Sequence, residues 1–513
     1  MAHLISASHL LCGDPVRIER DHAVLVEDGR IADVGPRATL EGRHGAAERI
    51  DLDGHLLMPG LVNAHQHGLS VSHFQMGVRD DLLEPWLAAL ARIGPLDPHL
   101  STHLAGLRMI ANGVTATIQA NTSFGFGDAK AELDGALRGY DESGIRAMVG
   151  VGVMDRAALV HPDEEQAKFL ASLPGDLRDF AQSMVGGGYA GAAEEAMRLL
   201  HETKARLSGH PRLDVCYAPA GPEWVSDALF RAVAEDAERI GAAIHLHGLE
   251  SHAQVITLQE IYPEGVLAHL DGLGLLSPRC SIAHGIWLAE DDLRRAAHTG
   301  VTIVRNPGSN LRLRAGLAPL ASYVAAGVRV AIGTDSMALG DEDDLLSELR
   351  LAASIARSPR FDGPKPLTAE DAFAMATVNG ARAMLREDLG RVMAGAAADL
   401  MALTLAPVRG VHLDPGIPLL DAVLTRGAGR HVSLTMVDGH LLYRDGKFLH
   451  ADIDAVGRRV RGAIETARRS VAPWTKTLAD RLAVEVARFH RKRETEAPAS
   501  PPWSPLARPD GWC

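Results

Sequence analysis

Cysteine is scarce in this chain. The 513 residues hold four, Cys12, Cys216, Cys280 and Cys513, with no CxxC spacing among them. That excludes a disulfide framework and a cysteine zinc cluster, and it fits a reducing cytoplasm. Aromatic residues make up only 4%. No apolar run approaches the ~18 residues that a membrane-spanning helix needs. No Lys/Arg-led apolar start resembles a secretory leader, so neither export nor a membrane partner is expected. Positive charge is in deficit as well, with 52 Lys and Arg against 65 Asp and Glu and a net charge of -13. A nucleic-acid partner needs a basic face to neutralise phosphate, and none is expected here.

What remains is 46% hydrophobic and 23% charged, the profile of a globular protein. The length exceeds what one compact core organises and fits one large domain with a smaller one. Residues 1–57 read as short strands broken by turns. "HAVLVEDGRIADVGP" alternates on both sides of Asp28-Gly29, which is a hairpin signal. The same vocabulary returns in 395–450, with Asp-Gly pairs at 438–439 and 445–446. The expectation is a small composite β-sandwich domain built from both termini.

Residues 58–394 alternate differently. "GVTATI", "IRAMVGVGV", "LDVCYAP", "AAIHLH", "CSIAHG", "VTIVRNP" and "VRVAIGTD" are apolar runs separated by stretches of helical periodicity. Repeated strand–helix units imply a parallel sheet, and about eight of them a closed (β/α)8 TIM barrel, an α/β fold. No GxGxxG follows the first strand, which disfavours the open doubly wound alternative. Residues 451–513 read as a helical extension, two helices parted by Pro473, followed by an irregular proline-rich tail.

Chemistry-bearing residues gather at the ends of the middle strands. "MPGLVNAHQHGLS" places His65 and His67 one residue apart, on one face of a strand. A chain with 24 histidines produces such a pair by chance, so the pair alone decides nothing. "HLHGLES" adds His247 and Glu250, "IAHG" adds His284 and "AIGTDS" adds Asp335. In a barrel these termini surround one mouth, where imidazoles and a carboxylate suit a divalent first-row ion. His245 is expected on the opposite face of its strand, as a structural histidine.

Together these motifs, with "VLVEDGRIADVGP", "NPGSNLRLRAG", "ATVNGARAM" and "GAAADLMALTL", resemble the amidohydrolase superfamily in its cytosine deaminase/chlorohydrolase branch. The resemblance spans nearly the whole chain. It implies His65, His67, His247 and Asp335 as metal ligands, Glu250 as proton shuttle and His284 as the group that orients water or a substrate oxygen. Asp335 would also accept the water proton. A bridging carbamylated lysine would make the site binuclear. "IRAMVGVGV" and "LDVCYAP" contain none, Lys204 being the nearest, so one divalent ion is expected, zinc first, with iron, cobalt or manganese as alternatives. Such an ion lowers the pKa of bound water from about 15.7 towards about 7.

The reaction implied is hydrolytic deamination of an aminated heterocycle. Hydrolysis of another C–N, C–Cl or C–S bond at the same site is the runner-up, and a non-catalytic scaffold comes last. The partner is a small molecule, and the chain is expected to form a homo-oligomer. Candidate substrate contacts are Trp86, Trp224, Arg305 and Asn310. The sequence departs from the family at Arg305 and Arg314. Both are read as pointing outwards to pair with the acidic segment 340–344, the alternative being a pocket for an acidic substrate. The signature of adenosine-analogue deaminases is not clear in "WLAALARIGPLDP", which disfavours a nucleoside.

Overall fold

Strands form where alternating or continuous apolar runs stop at Gly, Pro or an Asp-Gly pair. In chain order they are β1 (His3–Cys12), β2 (Arg17–Glu27), β3 (Arg30–Pro36), β4 (Glu48–Pro59), β5 (Leu61–Gln66), β6 (Val114–Gln119), β7 (Arg146–Val153) and β8 (Leu213–Pro219). They continue with β9 (Ile244–Gly248), β10 (Cys280–His284), β11 (Thr302–Arg305), β12 (Arg329–Ile332), β13 (Leu400–Thr404), β14 (Val432–Val437), β15 (His440–Arg444) and β16 (Lys447–Phe448). The computed structural model describes residues 2–497 apart from 13–15, 121–123, 126, 157–158, 185–188, 191, 337–338, 359–360 and 362. The tail from residue 498 onwards, expected to be irregular, therefore lies outside the described residues.

The Asp-Gly turns behave as their chemistry requires. Asp28 and Gly29, with φ of 47° and 76°, join β2 to β3, and Asp438 and Gly439, with φ of 52° and 75°, join β14 to β15. Both central residues are left-handed, the conformation whose twist matches a two-residue hairpin. The terminal strands form one eight-stranded sheet in the order β16-β15-β14-β13-β4-β1-β2-β3. The N-terminal and C-terminal contributions meet where β13 pairs antiparallel with β4. Its core joins Ile5, Val24 and Leu57 from one end of the chain to Ala402 and Met436 from the other.

The middle segment forms the second sheet, β5 through β12 in sequence order, with every pair parallel. The sheet closes on itself: the N–H groups of Thr334 and Asp335, just past β12, donate to the His65 carbonyl of β5 at 3.1 and 3.0 Å. This is a (β/α)8 barrel, and its closure puts Asp335 beside His65. At the opposite end of the barrel, buried Arg146 opens β7. It donates through Nε and Nη2 to both carboxylate oxygens of Asp399, at 3.1 and 2.9 Å, and so ties the barrel to the terminal sheet.

Two helices, Ile453–Ser470 and Pro473–Glu496, follow the terminal sheet, and Pro473 opens the second, where its missing N–H is harmless. Among the described residues no helix is long and apolar enough to cross a membrane.

Candidate active site

The C-terminal ends of the barrel strands bring six chemistry-bearing side chains to one place. His65 Nε2 lies 3.0 Å and His67 Nε2 3.1 Å from Asp335 Oδ1, and His247 Nε2 lies 3.4 Å from His67 Nε2. Glu250 Oε2 and His284 Nε2 face each other at 3.5 Å, with Asp335 Oδ2 at 3.9 Å from the same ring. Gly333 permits the approach of β12: a Cβ there would stand 2.6 Å from both the His65 carbonyl and Asn306 Oδ1. His284 and Asp335 hold φ of 70° and 56°, a left-handed conformation rare for side chains of their size. Backbone strain of this kind persists where the surroundings over-determine it, and it clusters at functional sites.

Hydrogen bonds fix which ring nitrogens are bare. Ser281 Oγ donates to the Ile244 carbonyl at 3.4 Å, so it accepts from His245 Nδ1 at 2.7 Å. His245 Nε2 then accepts from His65 Nδ1 at 2.7 Å, leaving His65 Nε2 with a free lone pair. His247 Nδ1 donates to the Ala220 carbonyl at 2.9 Å, which frees its Nε2 in the same way. Burial holds the rings of His65, His247 and His284 below the usual imidazole range. Neutral imidazoles with bare Nε2 atoms are the form that ligates metal. Ser309 Oγ donates to Asp335 Oδ2 at 2.6 Å. Burial alone would raise Asp335, but the ring of His65, with those of His67 and His284 beside it, holds its carboxyl well below the usual carboxylate range. His65, His67 and Asp335 offer ligand atoms within 4.8 Å of one another, as do His65, His247 and His284, and imidazoles with a carboxylate suit a divalent ion.

A second chain of bonds fixes His284. Arg305 Nη2 can only donate, and it does so to Asn310 Oδ1 at 3.2 Å. The Asn310 amide nitrogen must then face His284 Nδ1, to which it donates at 2.9 Å. His284 therefore carries its proton on Nε2, pointed at Glu250. Glu250 itself is fully buried, and burial, Asp335, Glu84 and Glu223 push its carboxyl well above the usual range. Its position is set by the next turn, where Ser251 caps the helix His252–Ile261 in a capping box with Gln254. Gln254 Oε1 also accepts from the Glu250 N–H at 2.6 Å.

Above this floor lies a cavity of about 450 Å³. Its wall is mostly apolar, with Leu83, Trp86, Leu90, Met154, Trp224 and Leu313 among its members. The structure thus brings His65, His67, His247, Glu250, His284 and Asp335 together and sets Trp86 and Trp224 on the wall. Arg305 and Asn310 do not line the cavity; they stand behind His284.

Two expectations are corrected. Arg305 does not point outwards: it is 4% exposed, and burial lowers its pKa to about 10. Only Arg314 faces solvent, and its partner is Asp81, while Arg312 takes Asp80 and Asp341. His245 is not on the far face of its strand. Side chains at i and i+2 share a face, so His245 lies one layer below His247 and supports His65. Replacing His245 by Ala should therefore lower metal affinity by about 10- to 100-fold, the usual effect of losing a ligand's hydrogen-bond partner. Metal content after dialysis checks this, and an unchanged affinity would return His245 to mere packing. Arg305→Met should lower kcat by roughly tenfold with KM little changed. The lost bond is worth about 1.5 kcal/mol, and the side chain does not touch the cavity. A KM effect alone would contradict the relay.

Sequence reasoning missed Ser281 and Ser309, single hydroxyls with no motif, and His73, half-buried against Trp86 at 4.9 Å between ring centroids. Trp86 is carried by the helix Leu83–Ala89, which Leu83 and Leu87 mark at helical spacing.

Residues 56–442 match the Amidohydrolase family. The chain belongs to that family. Its members are metal-dependent, and the protein is accordingly a hydrolase of carbon–nitrogen bonds other than peptide bonds. Residues 23–47 match the Imidazolonepropionase-like composite domain of bacteria, in agreement with the sheet built from both termini. Among curated relatives, 5-methylthioadenosine/S-adenosylhomocysteine deaminase of Nitratidesulfovibrio vulgaris (strain Miyazaki F) is 30% identical, over 89% of this chain and 96% of its own. The 5'-deoxyadenosine deaminase of Methanothermobacter thermautotrophicus is 31% identical, over 83% and 90%. Among solved structures, a zinc-bound adenosine deaminase from Xanthomonas campestris superposes with a TM-score of 0.75 at 27% identity, over 91% of this chain and 99% of that one. An atrazine chlorohydrolase from Arthrobacter aurescens with zinc and atraton reaches 0.75 at 23% identity, over 90% and 100%, and shares the fold.

Proposed function

We propose that the protein is a mononuclear zinc aminohydrolase that deaminates an aminated purine or related heterocycle bearing a neutral, apolar substituent. The observation that carries it is the pairing of the donor set with the buried Glu250 carboxyl and the Nε2–H of His284 on one cavity floor. Lys204 supports a single ion, because its Nζ bonds Asp214 at 2.8 Å, near the start of β8 and away from the histidines.

Bound in the donor set, zinc would supply an activated water at neutral pH. Asp335 would take the proton that this water gives up, its second oxygen held by Ser309. Glu250 would protonate the ring nitrogen as the hydroxyl adds to the neighbouring carbon, and the His284 Nε2–H would stabilise the oxygen that carries growing charge. The C–N bond then breaks and the amine leaves with a proton as ammonia.

Two features support the substrate class. Relatives about 30% identical are deaminases of adenosine derivatives, despite the unclear signature after Trp86. Among the described residues lining the cavity there is no lysine or arginine, so nothing meets an acidic group. An assay of ammonia release should thus show 5-methylthioadenosine and 5'-deoxyadenosine turned over with higher kcat/KM than S-adenosylhomocysteine, whose tail is zwitterionic. Preference for the zwitterion would overturn the apolar-substituent reading. Release of chloride, amine or thiol without ammonia from any aminopurine would overturn deamination.

A further inference from the structure

We propose that His99, His103 and Glu142 form a second divalent-metal site, outside the barrel mouth, that clips the helix Pro98–Ala111 to the helix Ala129–Ser143. His99 and His103 stand four residues apart on one helix and so share a face, the spacing by which two imidazoles grip one ion. Glu142 approaches from the last turn of the second helix. Its Oε2 lies 2.7 Å from His99 Nε2 and 3.4 Å from His103 Nδ1, and the three residues offer ligand atoms all within 4.8 Å of one another.

An ordinary hydrogen bond from His99 to Glu142 accounts for those two groups but not for His103. That ring is 8% exposed, and neither of its nitrogens makes a hydrogen bond, Nδ1 having only the long 3.4 Å approach of Glu142 Oε2. A buried imidazole so poorly partnered is unfavourable unless something takes a lone pair. An ion at Nδ1 does so.

The convergence is built into the helix contact. A Cβ on Gly139 would come within 2.1 Å of Thr102 Oγ1 and 2.4 Å of the His99 carbonyl, so the two backbones touch there. Thr102 Oγ1 donates to the Ala136 carbonyl at 3.0 Å beside it. Glu142 is three residues on from Gly139 and is thereby held over His99. Two nitrogens and one oxygen select zinc, cobalt or nickel over magnesium or calcium. Glu142 is exposed, which leaves a fourth position open to water. The clipped helix starts directly after the segment 83–96 that walls the substrate cavity, so an ion here anchors the end of that wall.

The test is a zinc titration of the metal-stripped full-length protein, with ion content, melting temperature and ammonia release measured together. Wild type should bind two ions. His103→Ala and Glu142→Gln should each bind one, keep turnover within about twofold and lose part of the zinc-dependent rise in melting temperature. His247→Ala should also bind one ion, but without turnover, which separates this proposal from the catalytic reading. One ion in wild type, or a second ion that persists in both Glu142→Gln and His103→Ala, would overturn it. Glu142 lies at the surface, so its amide variant keeps the test open should His103→Ala not fold.

Discussion

Removing the ion from the barrel mouth should abolish ammonia release, by roughly 10³-fold or more, and zinc should restore it. Lewis-acid activation of water is worth several kcal/mol, and no side chain at this site replaces it. His65 Nε2 and His67 Nε2 lie within 3.1 Å of the same oxygen of Asp335, and the two nitrogens from His247 and His67 approach to 3.4 Å, so these ligand atoms face one position. His65→Ala, His67→Ala and His247→Ala should each lose this ion and its turnover together. Activity retained by fully stripped protein would remove metal from the reaction. Activity that needs two ions bound among these same four residues would refute the mononuclear reading, whereas an ion lost on replacing His103 bears only on the outer site.

The barrel was legible because each of its strands is an apolar run closed by a polar or glycine-rich stop. Chemistry-bearing residues at strand ends can lie only around the mouth. His65, His67, His247, Glu250, His284 and Asp335 were therefore readable from position and residue type. The support beneath them was harder to see. His245 obeys the same two-residue period as His65 and His67, and applying that period consistently places it inside the barrel. Arg305 illustrates a different limit. A charged residue at the end of a short strand is expected in water, and only the three-dimensional arrangement shows that Asn310 accepts its hydrogen bond and passes the orientation to His284. The cavity wall was illegible for a third reason. Leu83, Met154 and Leu313 come from three distant segments, and an apolar side chain carries no mark in sequence that separates wall from core.

Replacing Glu250 by Gln should leave the ion and the fold in place while kcat falls by about 10²- to 10⁴-fold, the span of general acid–base catalysis. The substitution is nearly isosteric. The backbone N–H that Gln254 accepts is untouched, and the Ser251 cap that starts the next helix does not involve the side chain. Glu250 touches no member of the donor set at hydrogen-bonding distance, its near neighbour being His284 Nε2 at 3.5 Å, so ion content should stay at the wild-type value. What the amide cannot do is give up and recover a proton. The native carboxyl is suited to that task because burial, with Asp335, Glu84 and Glu223 around it, raises its pKa well above the usual carboxylate range. Binding contacts made by the apolar wall are unchanged, so KM should move far less than kcat, the mark of an interaction made only in the transition state. Near-normal kcat in Glu250→Gln would take Glu250 out of the mechanism. A parallel loss of ion would instead place it among the ligands and require the donor set to be redrawn.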